Sequence, residues 1–236
     1  MLDFIGIGAQ KAGTTWLYAN LKKHPELSFP AGKEVHFWDW HYAHGLDWYK
    51  NLFSKNDDSI KNGDITPAYA FIDSNKIKEC HEYAPDARII YCIRNPIDRA
   101  WSAARMMLNR CELTLEEASD QWFIDLFKSH GSRIRGDYVY AIDNWTSVYK
   151  REQVLVVHFD HIVEKPDILL FKCCEHLGID PTFFTKQQEN IIREKIHASG
   201  SHSVPIRPSL LPVLHDIYDT HIQAMEKHPV LLEAWG

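Results

Sequence analysis

The sequence predicts an α/β fold: a single domain over residues 1–236, with a central parallel sheet covered by helices on both faces. Three observations carry that prediction. A short apolar run near the N-terminus, Phe4-Ile5-Gly6-Ile7, leads through a glycine-rich turn into a helical segment. Two further β-rich runs, 88–93 and 153–159, are each set beside helical patterns, and strands separated by helices build a parallel sheet. No internal repeat, low-complexity tract or Pro/Ser linker divides the chain.

Taken in order, the first strand is followed by the turn Gly8-Ala9-Gln10-Lys11-Ala12-Gly13, and Thr14 to Lys23 then reads as a helix stopped by Pro25. Arg88-Ile89-Ile90-Tyr91-Cys92-Ile93 is a clear strand. Asn95 caps the next helix with Pro96 at its first position, where a missing N–H costs nothing, and that helix runs to about Asn109. Tyr138, Ile142, Trp145 and Tyr149 recur at helical spacing before the strand Gln153-Val154-Leu155-Val156-Val157-His158-Phe159. Later helices are expected over Ile168–Leu177 and Ser209–Lys227.

Composition narrows the function. Apolar residues make up 45% and charged residues 25%, as in ordinary globular proteins. A net charge of −6 argues against a dedicated nucleic-acid binder, while leaving room for a small basic pocket. The five cysteines form no C-x-x-C pair, their number is odd, and Cys173 and Cys174 are adjacent, which speaks against a disulfide framework or a structural zinc and for a reducing compartment. The N-terminus lacks a basic n-region, and no apolar run approaches the roughly 20 residues of a membrane span, so a cytoplasmic protein with no membrane partner is expected.

The turn between first strand and first helix carries the chemistry. A strand, a glycine loop and a helix N-terminus form an anion site, because backbone N–H groups converge there and the helix dipole favours negative charge. Gly8-x-x-x-x-Gly13-Thr14-Thr15 nearly matches the nucleotide-binding G-x-x-x-x-G-K-[ST], but Thr14 occupies the lysine slot and the cation is Lys11, inside the loop. NTP-hydrolysing enzymes use their lysine with Mg²⁺. The displaced Lys11 fits a donor with one bridge to break and no metal. A turn that merely joins strand to helix is the plainer alternative.

Gln10-Lys11-Ala12-Gly13-Thr14-Thr15-Trp16-Leu17 resembles the 5′-phosphosulfate loop of the sulfotransferases that use 3′-phosphoadenosine-5′-phosphosulfate (PAPS), a family with a P-loop-like nucleotide-binding fold. Arg94-Asn95-Pro96-Ile97-Asp98-Arg99-Ala100-Trp101-Ser102 resembles the same family's 3′-phosphate motif, roughly 80 residues on. The resemblance implies that Lys11 meets the bridging and leaving oxygens, that Ala12, Gly13, Thr14, Thr15 and Trp16 hold the 5′-phosphate, and that Arg94 and Ser102 hold the 3′-phosphate. A guanidinium beside a helix N-terminus suits a phosphate dianion. Gly136-Asp137-Tyr138 resembles the family's G-x-Y helix start and places Tyr138 beside the adenine, although core packing serves it equally.

Lys33-Glu34-Val35-His36-Phe37-Trp38-Asp39-Trp40, with Gly45-Leu46-Asp47-Trp48-Tyr49 after it, is similar to the acceptor-side segment of the heparan sulfate glucosaminyl 3-O-sulfotransferases and their N-sulfotransferase relatives. That similarity implies that Glu34 is the catalytic base, assisted by His36 and Asp39, with Lys33 near the transferring group. A carboxylate beside a lysine and a histidine can be tuned towards neutral pH. A solvated charge cluster, or a metal held by His36, His41 and His44, are the alternatives, the latter without a zincin-like helix pattern. Trp38 and Thr66 are read with Lys33 as acceptor contacts. Asp64-Ile65-Thr66-Pro67-Ala68-Tyr69 resembles the family's Lys-(Ser/Thr)-Pro-Ala-Tyr segment, with Asp64 read as replacing its lysine, which weighs against a polyanionic acceptor. The late Lys-Gly-Arg loop of the family is matched by glycine alone in Ala198-Ser199-Gly200-Ser201-His202, with Lys195 or Arg207 as candidate substitutes.

The sequence therefore predicts sulfonate transfer from PAPS to an acceptor hydroxyl or amine on a small molecule or saccharide, with 3′-phosphoadenosine-5′-phosphate (PAP) as product and no metal required. The competing readings are a P-loop small-molecule kinase, a non-catalytic PAP- or PAPS-binding module, and a carbohydrate binder that stacks sugars on Trp38, Trp40 and Trp48.

Overall fold

The computed structural model describes residues 1–54, 59–186, 191 and 204–232. Among them, strands β1 (Phe4–Gly8), β2 (Leu27–Ser28), β3 (Lys61–Ile65), β4 (Arg88–Ile93) and β5 (Val154–His158) form one sheet in the order β2-β3-β1-β4-β5, and every pairing is parallel. The flanking helices are α1 (Thr14–Leu21), α2 (Leu46–Leu52), α3 (Ser74–Tyr83), α4 (Pro96–Arg110), α5 (Asp120–Lys128), α6 (His130–Ile134), α7 (Tyr138–Thr146), α8 (His161–Glu164), α9 (Pro166–Leu177), α10 (Phe183–Lys186), α11 (Leu211–Met225) and α12 (Pro229–Leu232). The predicted α/β class is the one observed. No helix among the described residues is long and apolar enough to cross a membrane.

The three strands that the sequence marks are largely apolar because helices cover the faces of the sheet. All of β1 is buried, as is β4 from Ile89 to Ile93. Their pairing, Ile5 with Ile89 on one side and Ile5 with Asp64 on the other, puts β1 in the middle. After β3 the chain crosses to the far side of β1 to form β4, so the carboxyl ends of β1 and β4 flank a topological switch point, where open α/β sheets bind ligands.

Helix boundaries differ from the expectation by one turn or less: α1 ends at Leu21, α9 opens at Pro166, and α11 spans Leu211–Met225. Asn95 caps α4 as expected, accepting from the N–H groups of Ile97 and Asp98 at 2.9 and 3.3 Å. Residue pattern does not announce β2 or β3. β2 has two residues, and Lys61-Asn62-Gly63-Asp64-Ile65 buries two polar side chains, Asn62 and Asp64, that a hydrophobic pattern assigns to the surface. Gly63 allows this strand to lie against β1, because a Cβ there would sit 2.1 Å from the Phe4 ring. A second apolar cluster, with Trp101, Phe123, Phe127, Leu214 and Tyr218, joins α4, α5 and α11.

Candidate active site

The glycine loop leaves β1 at the switch point and turns into α1. Lys11 and Gly13 both take left-handed backbone, with φ 70° and 88°. At Gly13 the lack of a side chain is obligatory: a Cβ would lie 2.2 Å from Ile162 Cδ1 and 3.1 Å from the Phe159 ring. Leu17 N–H reaches back to Gly13 O at 3.0 Å, so the amides of Thr14, Thr15 and Trp16 stand at the open N-terminal end of α1. Thr15 is half-buried, whereas the Trp16 ring and the Ala12 methyl lie in the core. Trp16 can therefore meet a phosphate through its backbone only. Ala12 N–H is directed to Ala9 O at 3.1 Å, so Ala12 shapes the loop and is not the phosphate donor that the resemblance implies.

Arg94 follows β4 and joins this loop directly. Its Nη1 donates to Lys11 O at 3.3 Å, and its guanidinium lies 4.3 Å over the Phe159 ring. Ser102 is half-buried two turns into α4, and Asp98, Ser102 and Arg105 share one helix face at i, i+4 and i+7. Burial, then the charges of Arg94, Arg105, Arg110 and Lys33, lower the Lys11 pKa to about 8. Burial is the larger cause, and the four further cations that act on Lys11 make the surroundings of the loop positive, which suits an anionic ligand. Tyr138 does not border a cleft: it is 1% exposed, packed edge-on to Tyr91 at 5.9 Å, and burial raises its phenol to about 12. Core packing, the alternative open to it, is its place.

The acceptor-side segment is a chain of ionisable side chains. Lys33 Nζ donates to Glu34 Oε1, Glu34 Oε2 lies 3.5 Å from His36 Nε2, and His36 donates Nδ1–H to Asp39 Oδ2 at 2.9 Å. Glu34 is the member that reaches solvent, 43% exposed against 12% for His36 and 17% for Asp39. Glu34 and His36 also carry positive φ, 64° and 55°, a conformation that costs a non-glycine residue about 1 kcal/mol or more. Of the four non-glycine residues with positive φ among those described, three are Lys11, Glu34 and His36. Burial works against ionisation of Glu34, but the Lys33 ammonium and then His36 prevail and hold its carboxyl below the usual value. The expected upward tuning is thus reversed, because a salt bridge stabilises the carboxylate it touches. His36 stacks on Trp40 at 3.9 Å, and Trp40 is 73% exposed. Among the described residues no group of three or more His, Cys, Asp or Glu is set to hold a metal ion.

Two expected acceptor contacts are instead structural. Trp38 is 1% exposed, wedged against Phe37 and Tyr49, because the turn sends Trp40 outward in its place. Thr66 is fully buried, donating to Asp64 Oδ1 at 2.7 Å and accepting from His36 N–H at 3.4 Å. The residue directly before Thr66 is Ile65, buried in β3, so Ile65 and not Asp64 takes the place of the family lysine. Arg207 is committed elsewhere: it pairs with Asp120 at 2.6 Å and donates to Leu115 O and Ala118 O, over the Phe123 ring. Lys195 and Ala198–His202 lie outside the described residues. Sequence reasoning missed Phe159, Arg105 and Arg110. Helical spacing from Ser102 could have found Arg105, whereas no sequence signal marks Phe159.

A family model described as sulfotransferase domain matches residues 2–202. Heparan sulfate glucosamine 3-O-sulfotransferase 6 of Mus musculus is 28% identical over 176 residues, covering 73% of this chain and 51% of that protein. Human bifunctional heparan sulfate N-deacetylase/N-sulfotransferase 1 is 26% identical over 192 residues, covering 75% of this chain and 22% of that protein. The chain thus spans about half, or less, of these relatives. A sulfotransferase from Alicyclobacillus acidocaldarius shares the fold with a TM-score of 0.73, at 23% identity over 96% of this chain and 94% of that one. Mouse sulfotransferase SULT7A1 complexed with PAP shares it with a TM-score of 0.62, at 15% identity over 98% of this chain and 88% of that one.

Proposed function

The chain belongs to the sulfotransferase domain family, and from that premise we propose that it transfers a sulfonate group from PAPS to a hydroxyl or amine acceptor. The observation that carries the reading is the positive field around Lys11, built by Arg94, Arg105, Arg110 and Lys33 next to the N-terminus of α1. A donor bearing 3′- and 5′-phosphates matches that field.

In-line sulfonate transfer resembles phosphoryl transfer, so the protein's work is positioning and charge stabilisation. PAPS supplies the activated sulfonate. Lys11 and the α1 amides hold the 5′ side and stabilise charge on the leaving oxygen, while Arg94 and Ser102 hold the 3′-phosphate. Phe159 keeps the Arg94 guanidinium flat against the loop, and Asp39 fixes the His36 tautomer through Nδ1. Glu34 takes the acceptor proton at its solvent-facing carboxylate. Its pairing with Lys33 makes it a weak base until the acceptor arrives; the Lys33 ammonium then turns to the transferring oxygens, and Glu34 gains basicity as the partner leaves.

The relatives named for heparan sulfate support a saccharide acceptor, and the exposed Trp40 ring beside His36 is compatible with a sugar or another flat face. The cysteine pattern, all five free and Cys80, Cys92, Cys173 and Cys174 buried, supports a reducing compartment, as in the cytoplasm. The test is incubation with labelled PAPS and pooled hydroxyl and amine acceptors, followed by mass spectrometry. A product gaining one SO₃ unit with release of PAP is expected. Transfer from Mg-ATP with none from PAPS would hand the site to a kinase.

A further inference from the structure

Asp64 is fully buried in β3, and its described partners are hydroxyls and an amide, with no cation among them. Tyr49 and Tyr69 donate their hydroxyls to Oδ2 at 2.8 and 3.0 Å, Thr66 donates to Oδ1 at 2.7 Å, and the backbone of Val35 donates as well. Two of those hydroxyls have a second task. Thr66 Oγ1 accepts from His36 N–H at 3.4 Å, and Tyr69 Oη accepts from Phe37 N–H at 2.8 Å. Together with Glu34 N–H to Ile65 O at 3.0 Å, these bonds fasten consecutive amides of residues 34–37 to β3 and the turn after it.

The polarity of this network follows from Asp64. Burial raises the Asp64 carboxyl above its usual value, but four donors converge on it and favour the ionised form; a hydroxyl has one proton, and a carboxylate accepts only. Because Thr66 and Tyr69 each give their proton to Asp64, their lone pairs are left facing the loop amides. The loop so fastened is the one in which Glu34 and His36 hold left-handed backbone, a conformation that persists only where the surroundings enforce it. We propose that Asp64 is a positioning residue: it orients the hydroxyls of Thr66 and Tyr69 to grip the base-bearing loop, and so sets the Glu34 carboxylate for proton transfer. The last clause rests on the sulfotransferase reading, whereas the grip on the loop does not.

Asp64→Asn keeps the shape but places an NH₂ donor where a carboxylate oxygen accepted. At least one hydroxyl must then turn its proton towards a loop N–H, and donor meets donor. Backbone hydrogen exchange, PAP affinity and PAPS turnover are measured together in this variant. The expected result is exchange at the amides of 35–37 at least tenfold faster, with β1 and β4 protection and PAP affinity within twofold of the wild type. Turnover should fall at least tenfold while KM for PAPS moves less than twofold. Unchanged exchange at 35–37 overturns the proposal. So does faster exchange throughout the sheet with a parallel loss of PAP affinity, since Asp64 would then merely hold the fold. If the variant does not fold, Thr66→Val and Thr66→Ser decide. Faster exchange at 36 in the valine variant, restored by serine, supports the grip, and wild-type exchange in both overturns it. A wild-type protein that turns over no PAPS sinks the proposed function but leaves the exchange result standing.

Discussion

The two halves of the site handle charge in opposite ways. Around the glycine loop, cations gather: Lys11 lies in the field of Arg94, Arg105, Arg110 and Lys33, and its pKa falls to about 8. On the acceptor side each carboxylate meets a basic side chain, Glu34 between Lys33 and His36 and Asp39 at His36, and the Glu34 carboxyl sits below its usual value. On the proposed reading, the donor half receives charge from a ligand, and the acceptor half, balanced within itself, is unbalanced by binding before it reacts. Lys33 belongs to both, bonded to Glu34 and felt by Lys11, and that makes it the natural carrier of the change.

The sharpest way to break this comparison is at Glu34. Glu34→Gln keeps the shape and removes the proton acceptor, so turnover should fall by roughly 10²–10⁴ with PAP affinity unchanged. Because Lys33 stabilises the carboxylate of the free protein, kcat/KM should climb with pH through a value below the ordinary glutamate range and stay flat at neutrality. A pH series of initial rates checks both points, and persistence of the acid limb in the glutamine variant would remove Glu34 from the mechanism.

Next in size is Lys11→Met, which removes the cation at the leaving oxygen. Losing one preorganised electrostatic contact costs roughly 10²–10³ in turnover, read by single-turnover kinetics at saturating PAPS. A fall in affinity alone would mean that Lys11 binds without stabilising the transition state. Arg94→Ala should then weaken PAP by roughly 2–4 kcal/mol while leaving adenosine 5′-phosphosulfate, which lacks the 3′-phosphate, nearly unaffected. Calorimetry with both ligands separates the cases, and equal losses would make Arg94 a prop for the loop through its bond to Lys11 O. Smallest is Lys33→Ala, which should move the acid limb of the rate upward in pH, because the carboxyl loses the partner that lowered it. Read in kcat/KM, which reports the free enzyme, an unmoved limb would show that Lys33 does not hold the Glu34 carboxylate before binding.

The donor half was legible in the sequence because its requirements are local. A buried apolar strand, a glycine at φ 88° and a capped helix each follow from a few neighbouring residues, and Lys11, Gly13, Thr14, Thr15 and Arg94 lie where those elements put them. The acceptor half was legible only in its charges. Trp38 and Thr66 resemble ligand contacts in a row of letters, yet the left-handed residues at 34 and 36 rotate the loop so that Trp38 turns inward and Trp40 outward. β3 escaped the hydrophobic pattern for the same reason that it matters: a buried aspartate is tolerable there only because hydroxyls from three other residues meet it. Those partners are two, five and fifteen residues away in sequence order, a spacing that neither strand nor helix periodicity registers.

The most direct test of the central claim, that the cation cluster around Lys11 receives a bisphosphate nucleotide without metal help, is PAP titration calorimetry in EDTA between pH 6.5 and 9.5. With the unliganded Lys11 pKa about 8, the ammonium is present below that value and must be regained above it. The account predicts undiminished binding in EDTA, an affinity nearly flat up to pH 8, and a decline of about tenfold per pH unit beyond it, accompanied by proton uptake. In Lys11→Met that decline should vanish. Binding that needs Mg²⁺, or an affinity that falls identically with pH in the wild type and the methionine variant, would contradict it.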